Sequence, residues 1–185
     1  VLGDHILLPL FGELPLGFGV YFLLLVMIVG IVNCANLTDG IDGLASAVGG
    51  VIFSVYGFLS LAREALSPAL LSALLLASAC AFFLFNRPRA RIFMGEKGSL
   101  FLGAGAAAVP LLLLEPALAV LCGAVYVFEG VSVILQVLYY KKTKKRLFLM
   151  APFHHHLEKC GWSENKIVTA AALVTLFSSV LAVLL

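Results

Sequence analysis

The sequence predicts an all-α, polytopic integral membrane protein with about six transmembrane helices, and three observations carry that expectation. Of 185 residues, 62% are hydrophobic and only 12% charged, and the mean hydropathy of +1.10 is far above that of a soluble domain. The apolar residues fall into charge-free runs of about 20, the length needed to cross a bilayer core as a helix. Of the twelve Lys and Arg residues, all but Arg63 lie in Arg87–Lys97 and Lys141–Lys166. That clustering gives membrane orientation and speaks against nucleic acid as a partner.

Taken in order, residues 1–16, with Pro9, Gly12 and Pro15, read as an external hairpin or loop. No charged n-region and cleavage site precede the first apolar run, so no signal peptide is expected. The first span lies within the uncharged stretch from Leu14 to Thr38, and the second runs from Gly43 to Ala62, ending at Arg63-Glu64. The third follows Ser67-Pro68, where proline suits a first helical turn, and lasts to Asn86. Gly98 to Leu114 gives a short fourth span if Lys97 snorkels. The fifth follows Glu115-Pro116 and reaches Tyr139-Tyr140, with Glu129 its one internal acid; Ile167 to Leu185 is the sixth. The four cysteines, Cys34, Cys80, Cys122 and Cys160, are widely separated and suggest packing rather than a disulfide framework. The whole reads as a single membrane domain.

Successive crossings alternate sides, so the connections after spans one, three and five share a face. These are residues 38–42, 86–98 and 141–166, and their basic residues make that face cytoplasmic. In span four, Ser99, Gly103 and Ala107 recur every four residues, as do Ala104 and Ala108, giving small-residue faces for close helix packing.

The shared face collects the polar chemistry. In Asn33-Cys-Ala-Asn36-Leu-Thr-Asp39-Gly-Ile-Asp42-Gly43, the two aspartates would project from one side if the second helix begins near Asp39. Thr38 or Asp39 would then cap it, but capping needs only one acid and leaves Asn36 and Asp42 over, which points to a polar ligand. The second connection offers Arg87, Arg89, Arg91 and Lys97 to phosphates, with Glu96 as an oxygen donor of the kind Mg²⁺ takes beside substrate phosphates. In the third, His154, His155 and His156 are consecutive and cannot all face one ion from a regular helix, which disfavours a zinc site. One or two of them near a pyrophosphate would donate hydrogen bonds or move protons. Trp162 reads as an interfacial anchor, and Glu129, Ser132 and Gln136 either line a cleft or pair inside the bundle.

Three motifs, Asn36-Leu-Thr-Asp-Gly-Ile-Asp-Gly43, Phe93-Met-Gly-Glu-Lys-Gly-Ser99 and Ala151-Pro-Phe-His-His-His-Leu-Glu158 with Gly161-Trp-Ser-Glu164 after it, carry a family resemblance. The chain closely resembles the phospho-N-acetylmuramoyl-pentapeptide transferases, within the polyprenyl-phosphate N-acetylhexosamine-1-phosphate transferase superfamily. The first motif is shared across the superfamily, and the triple histidine with its Gly-Trp-Ser-Glu tail points to the muramoyl-pentapeptide branch. The resemblance implies transfer of phospho-MurNAc-pentapeptide from UDP-MurNAc-pentapeptide to undecaprenyl phosphate, giving lipid I and UMP with Mg²⁺ in peptidoglycan synthesis. It implies a multi-pass protein of the bacterial inner membrane with its site on the cytoplasmic face, and leaves a homodimer open. It also implies roles. Asn36 and Asp42 would contact uridine, Asp39 would shape or polarise the site, Phe93 would stack near uracil, and Gly95 would border it. Glu96 would bind the metal, Gln136 would line the nucleoside side, and His155 and His156 would face phosphate or sugar. Asp39, Asp42, Glu96 and His155 are thus the catalytic candidates.

Two departures stand out. Glu96-Lys97 replaces the usual Asp-Thr or Asp-Val, so a longer carboxylate binds metal from a shifted backbone beside an ammonium. The adjacent Asp pair that the family carries in earlier helices is missing from residues 1–185. The chain therefore looks like the C-terminal helices of the enzyme and is expected to be inactive alone. A UDP-GlcNAc-using transferase, a transporter working through Glu129, and a noncatalytic membrane fragment are the competing readings. The histidine segment argues against the first, and polar groups at one face rather than the midplane against the second. The missing Asp pair keeps the third alive.

Overall fold

The protein is described by a computed structural model that covers residues 5–8, 12–15 and 17–184. Two strands, β1 (His5–Leu8) and β2 (Gly12–Pro15), pair antiparallel with His5 opposite Pro15 and Leu8 opposite Gly12. The turn expected at Pro9 lies outside the described residues. Eight helices follow: α1 (Gly19–Thr38), α2 (Leu44–Ala62), α3 (Leu66–Asn86), α4 (Gly95–Leu112), α5 (Ala117–Cys122), α6 (Ala124–Thr143), α7 (Phe153–Lys159) and α8 (Glu164–Leu184).

Five of them, α1, α2, α3, α6 and α8, are long and apolar enough to cross a membrane. The fourth expected span is α4, which opens on Gly95-Glu96-Lys97, is rich in glycine and alanine, and is not among those five. The fifth expected span is broken. Gly123 ends α5 and starts α6, and a side chain there would strike the Ala119 carbonyl, so only glycine allows so tight a joint.

α2 is the centre of the bundle, packing on α3, α4 and α8 through the fully buried Val48, Ile52, Phe53 and Tyr56. Polar groups this deep need partners, because lipid supplies none. Tyr56 donates its hydroxyl to the Ala106 carbonyl at 3.1 Å, and Tyr126 of α6 donates to the Ala45 carbonyl at 2.9 Å. α4 meets α1 through the expected small-residue face: a side chain on Gly103 would come within 2.7 Å of the Val32 Cα, so the two backbones are nearly in contact. Ala104, on the second stripe, is exposed. The outward faces of α1 and α8, with Phe22, Leu25, Leu173 and Phe177, are apolar and exposed, as lipid-facing surfaces are.

The connections sort by end. Arg63 after α2 pairs with Glu115 after α4 at 2.6 Å. The connections after α1, α3 and α6 touch one another at the other end, through Asp42 to Ala90 and Gly40 to the α7 histidines.

One local expectation fails. α2 begins at Leu44, not near Asp39, so the two aspartates lie on the turn between α1 and α2 and share no helix face. Neither Thr38 nor Asp39 caps α2. The Thr38 hydroxyl turns back to the Cys34 carbonyl, and the N-cap is Gly43 in the left-handed region at φ 79°. A side chain on Gly43 would also sit 3.3 Å from the Arg87 Cα, so a backbone approach between two connections displaced the capping chemistry.

Candidate active site

The 39–43 turn is tied to the segment after α3. Asp42 Oδ2 accepts the Ala90 N–H at 2.9 Å, and the buried Asn86 accepts the Gly43 N–H at 3.1 Å while donating to the Ile92 carbonyl at 3.0 Å. Asn86 is therefore the fastener between two motifs. Sequence reading places it at the end of an apolar run and the start of the second connection, without showing what it holds.

The start of α4 is tied to the end of α1. Asn36 donates its amide to Ser99 Oγ at 2.8 Å, and that hydroxyl also lies within 3.3 Å of the Gly95 and Glu96 carbonyls. This leaves the Glu96 carboxylate exposed in the first turn of α4, without an ion pair among the described residues. Arg87, Arg89, Arg91 and Lys97 are likewise exposed, and none pairs with a carboxylate among the described residues. Phe93 stands 80% exposed beside these cations, and Gly95, at φ 66°, has open space where a side chain would project. An aromatic face, free cations and bare backbone together suit a nucleotide better than they suit packing. Among the described residues, no three His, Cys, Asp or Glu side chains gather as a metal cage. Glu96 still fits Mg²⁺ as a single ligand, since that ion commonly takes one or two carboxylates and completes its shell with water and phosphate.

Asp39, the C-cap of α1, is half-buried, and burial raises its carboxyl from the ordinary 3.8 to about 6. The unfolded chain releases this proton near 3.8 and the folded chain holds it to about 6. The folded state thus binds the extra proton in between, and stability falls as pH rises through that window, with the full loss above it. Asp39→Asn is expected to remove this contribution. Thermal unfolding in detergent at about pH 4.5 and about pH 7 checks it, the wild type losing more stability over that step than the variant.

α7 closes the site from the third connection. His154 is fully buried, its backbone N–H donating to Glu129 Oε2 of α6 at 3.2 Å and its Nδ1 lying 3.2 Å from the same oxygen. His155 Nδ1 meets Glu158 Oε2 at 2.5 Å, and the His154 and His155 rings lie 4.2 Å apart, centre to centre. Both rings press on Gly40: a side chain there would collide with His154 Nε2 and come within 3.2 Å of His155 Nε2.

Two candidates are engaged elsewhere. Gln136 Oε1 accepts the Leu147 and Phe148 N–H groups at 3.0 and 2.8 Å, and its amide donates back to the Phe148 carbonyl. His156 Nδ1 accepts the Leu149 N–H at 3.1 Å, its ring packed by Phe148 and Phe153. Both side chains thus hold the 147–149 backbone. Gln136 also lines a cavity of about 750 Å³ with Lys141, Lys144 and Arg146. The Glu129–His154 pair was missed as a unit, because nothing in sequence spacing links residues 25 apart.

Comparison with known proteins adds to this geometry. The sequence pattern of the family described as Glycosyl transferase family 4 matches residues 3–114. A phospho-N-acetylmuramoyl-pentapeptide-transferase of Clostridium perfringens (strain 13 / Type A) is 44% identical over 162 residues, 86% of this chain and 51% of that protein. The protein of the same name from Bacillus thuringiensis (strain Al Hakam) is 42% identical over 156 residues, 84% of this chain and 48% of its own length. The chain spans about half the length of the curated relatives it matches.

Proposed function

Because this chain belongs to glycosyl transferase family 4, we propose that the complete gene product transfers phospho-MurNAc-pentapeptide from its UDP carrier to undecaprenyl phosphate, giving lipid I and UMP. The observation that carries the reading is the meeting of three distant motifs at one end of an apolar bundle: the Asp39–Gly43 turn, the Arg87–Lys97 segment and the α7 histidines. The names of the relatives, 44% and 42% identical to this chain, support it. We place the site at the cytoplasmic face of the bacterial inner membrane, where the basic connections belong. The 185-residue chain by itself is proposed to be inactive.

In the reaction, a phosphate oxygen of the lipid attacks the β-phosphorus of the UDP-sugar. The bond to the bridging oxygen breaks, and UMP leaves with the electron pair. Such chemistry asks for positioning and charge more than for a covalent nucleophile. Phe93 offers its exposed face to uracil, with the second carboxylate oxygen of Asp42 and the amide oxygen of Asn36 reading the nucleoside. Arg87, Arg89, Arg91 and Lys97 draw the pyrophosphate and hold its negative charge. His155 keeps Nε2 toward the 39–43 turn, where it donates to phosphate or sugar. Glu96 would hold Mg²⁺, which when bound would neutralise pyrophosphate charge.

The test is UMP release from UDP-MurNAc-pentapeptide and undecaprenyl phosphate by the complete gene product. Absence of UMP with both substrates present overturns the reading. In the same assay Glu96→Gln is expected to raise the Mg²⁺ concentration for half-activity by about tenfold or more. An unchanged titration removes Glu96 as the ligand.

A further inference from the structure

We infer that Glu129 is a positioning residue for this site, anchoring α7 from inside the membrane bundle so that the His154 and His155 rings close over Gly40. The kinetic part of this inference rests on the proposed transferase reading; the structural part does not.

Glu129 is 5% exposed on a membrane-spanning helix, where a carboxylate persists only if its oxygens are engaged. Its Oε2 accepts the His154 N–H, one of the first-turn donors of α7 that no carbonyl within that helix can reach. The same oxygen lies 3.2 Å from His154 Nδ1. His154 is thereby held at its backbone, with its ring lying against the same carboxylate. Neither ring nitrogen has a hydrogen-bond partner among the described residues, and Nε2, at the far edge, abuts Gly40. The neighbouring His155 ring rests on it, with its own Nδ1 engaged by Glu158 and its Nε2 facing Gly40. A displacement at Glu129 therefore travels through one rigid ring to both the 39–43 turn and the Nε2 of His155. Glu129 is too deeply buried to meet substrate, so its influence runs entirely through His154.

Hydrogen–deuterium exchange and steady-state kinetics on the complete gene product test the anchor, with Glu129→Ala and Glu129→Gln compared. Losing a hydrogen bond to a charged acceptor is expected to speed exchange across residues 153–159 about tenfold in the alanine variant, with α2 and α3 unaffected. Glutamine keeps an oxygen at the same reach and is expected to restore part of the protection. kcat should fall about tenfold in the alanine variant, with KM for the UDP-sugar changing less than about threefold, because misplaced histidines act on the reacting groups rather than on uridine. Unchanged exchange at 153–159 overturns the inference whatever the reaction is. So does a uniform rise that includes α2 and α3, which would mark general destabilisation, or a glutamine variant no better than alanine. A KM rise at constant kcat overturns the positioning role. If neither wild type nor variant releases UMP, the proposed function fails while the exchange result still decides the anchor.

Discussion

Asp42→Ala in the complete gene product is expected to lower kcat/KM for UMP release by about 100-fold or more, because it removes two things at once. One carboxylate oxygen accepts the Ala90 N–H at 2.9 Å and so ties the first motif to the second. The other oxygen takes no hydrogen bond among the described residues, and in the proposed reaction it addresses uridine. Asp42→Asn separates these roles. Its amide oxygen still accepts from Ala90, so the turn keeps its place, but the charge is gone. The expected result is a folded protein whose KM for the UDP-sugar rises by about tenfold, the size of one charge-assisted hydrogen bond. Full activity in the asparagine variant would show that Asp42 serves only as a tie between connections and would remove it from the nucleotide site. Melting curves for both variants separate the losses, since only the alanine variant should loosen the joint with residues 86–92.

The difference between what was legible in the sequence and what was not follows from the range of the interactions. Apolar runs are local, so α1, α2, α3 and α8 could be read within a few residues of their observed ends. The small-residue stripe of α4 is local too, and Gly103 sits against Val32 as the spacing implies. Helix joints were harder. Gly123 breaks a run whose composition is continuous, and Gly43 starts α2 later than the acids suggested, because another connection leaves no room for a side chain. Within the site, motif residues stood out because they are polar in an apolar chain. Their pairings did not. Asn86 ends one hydrophobic run and Glu129 is the one acid inside another, and only the fold shows that they hold a backbone N–H from Gly43 and from His154. Gln136 and His156 were nominated by resemblance, and their visible hydrogen bonds are to the 147–149 backbone, a structural use that no spacing rule announces.

Gly40→Ala provides the most economical test of how closely the motifs are fitted together. Gly40 is not among the glycines with positive φ, so alanine meets no backbone objection, and any effect is steric. The added methyl would occupy the space of His154 Nε2, on a ring that is fully buried with Glu129 behind it and whose backbone N–H Glu129 holds. Such a ring cannot swing aside as an exposed side chain would, so either the turn or α7 must move by a good fraction of an ångström. A shift of that size between the 39–43 turn and the histidines is expected to lower kcat by about 100-fold. Gly50→Ala is the control, since nothing lies within 4 Å of its added carbon, and it should leave turnover unchanged. His154→Ala placed on top of Gly40→Ala should recover part of the loss, because it vacates the space that the methyl claims. Wild-type turnover in Gly40→Ala would mean that the turn and α7 are free to separate, and that the contact between them does not set the geometry of the site.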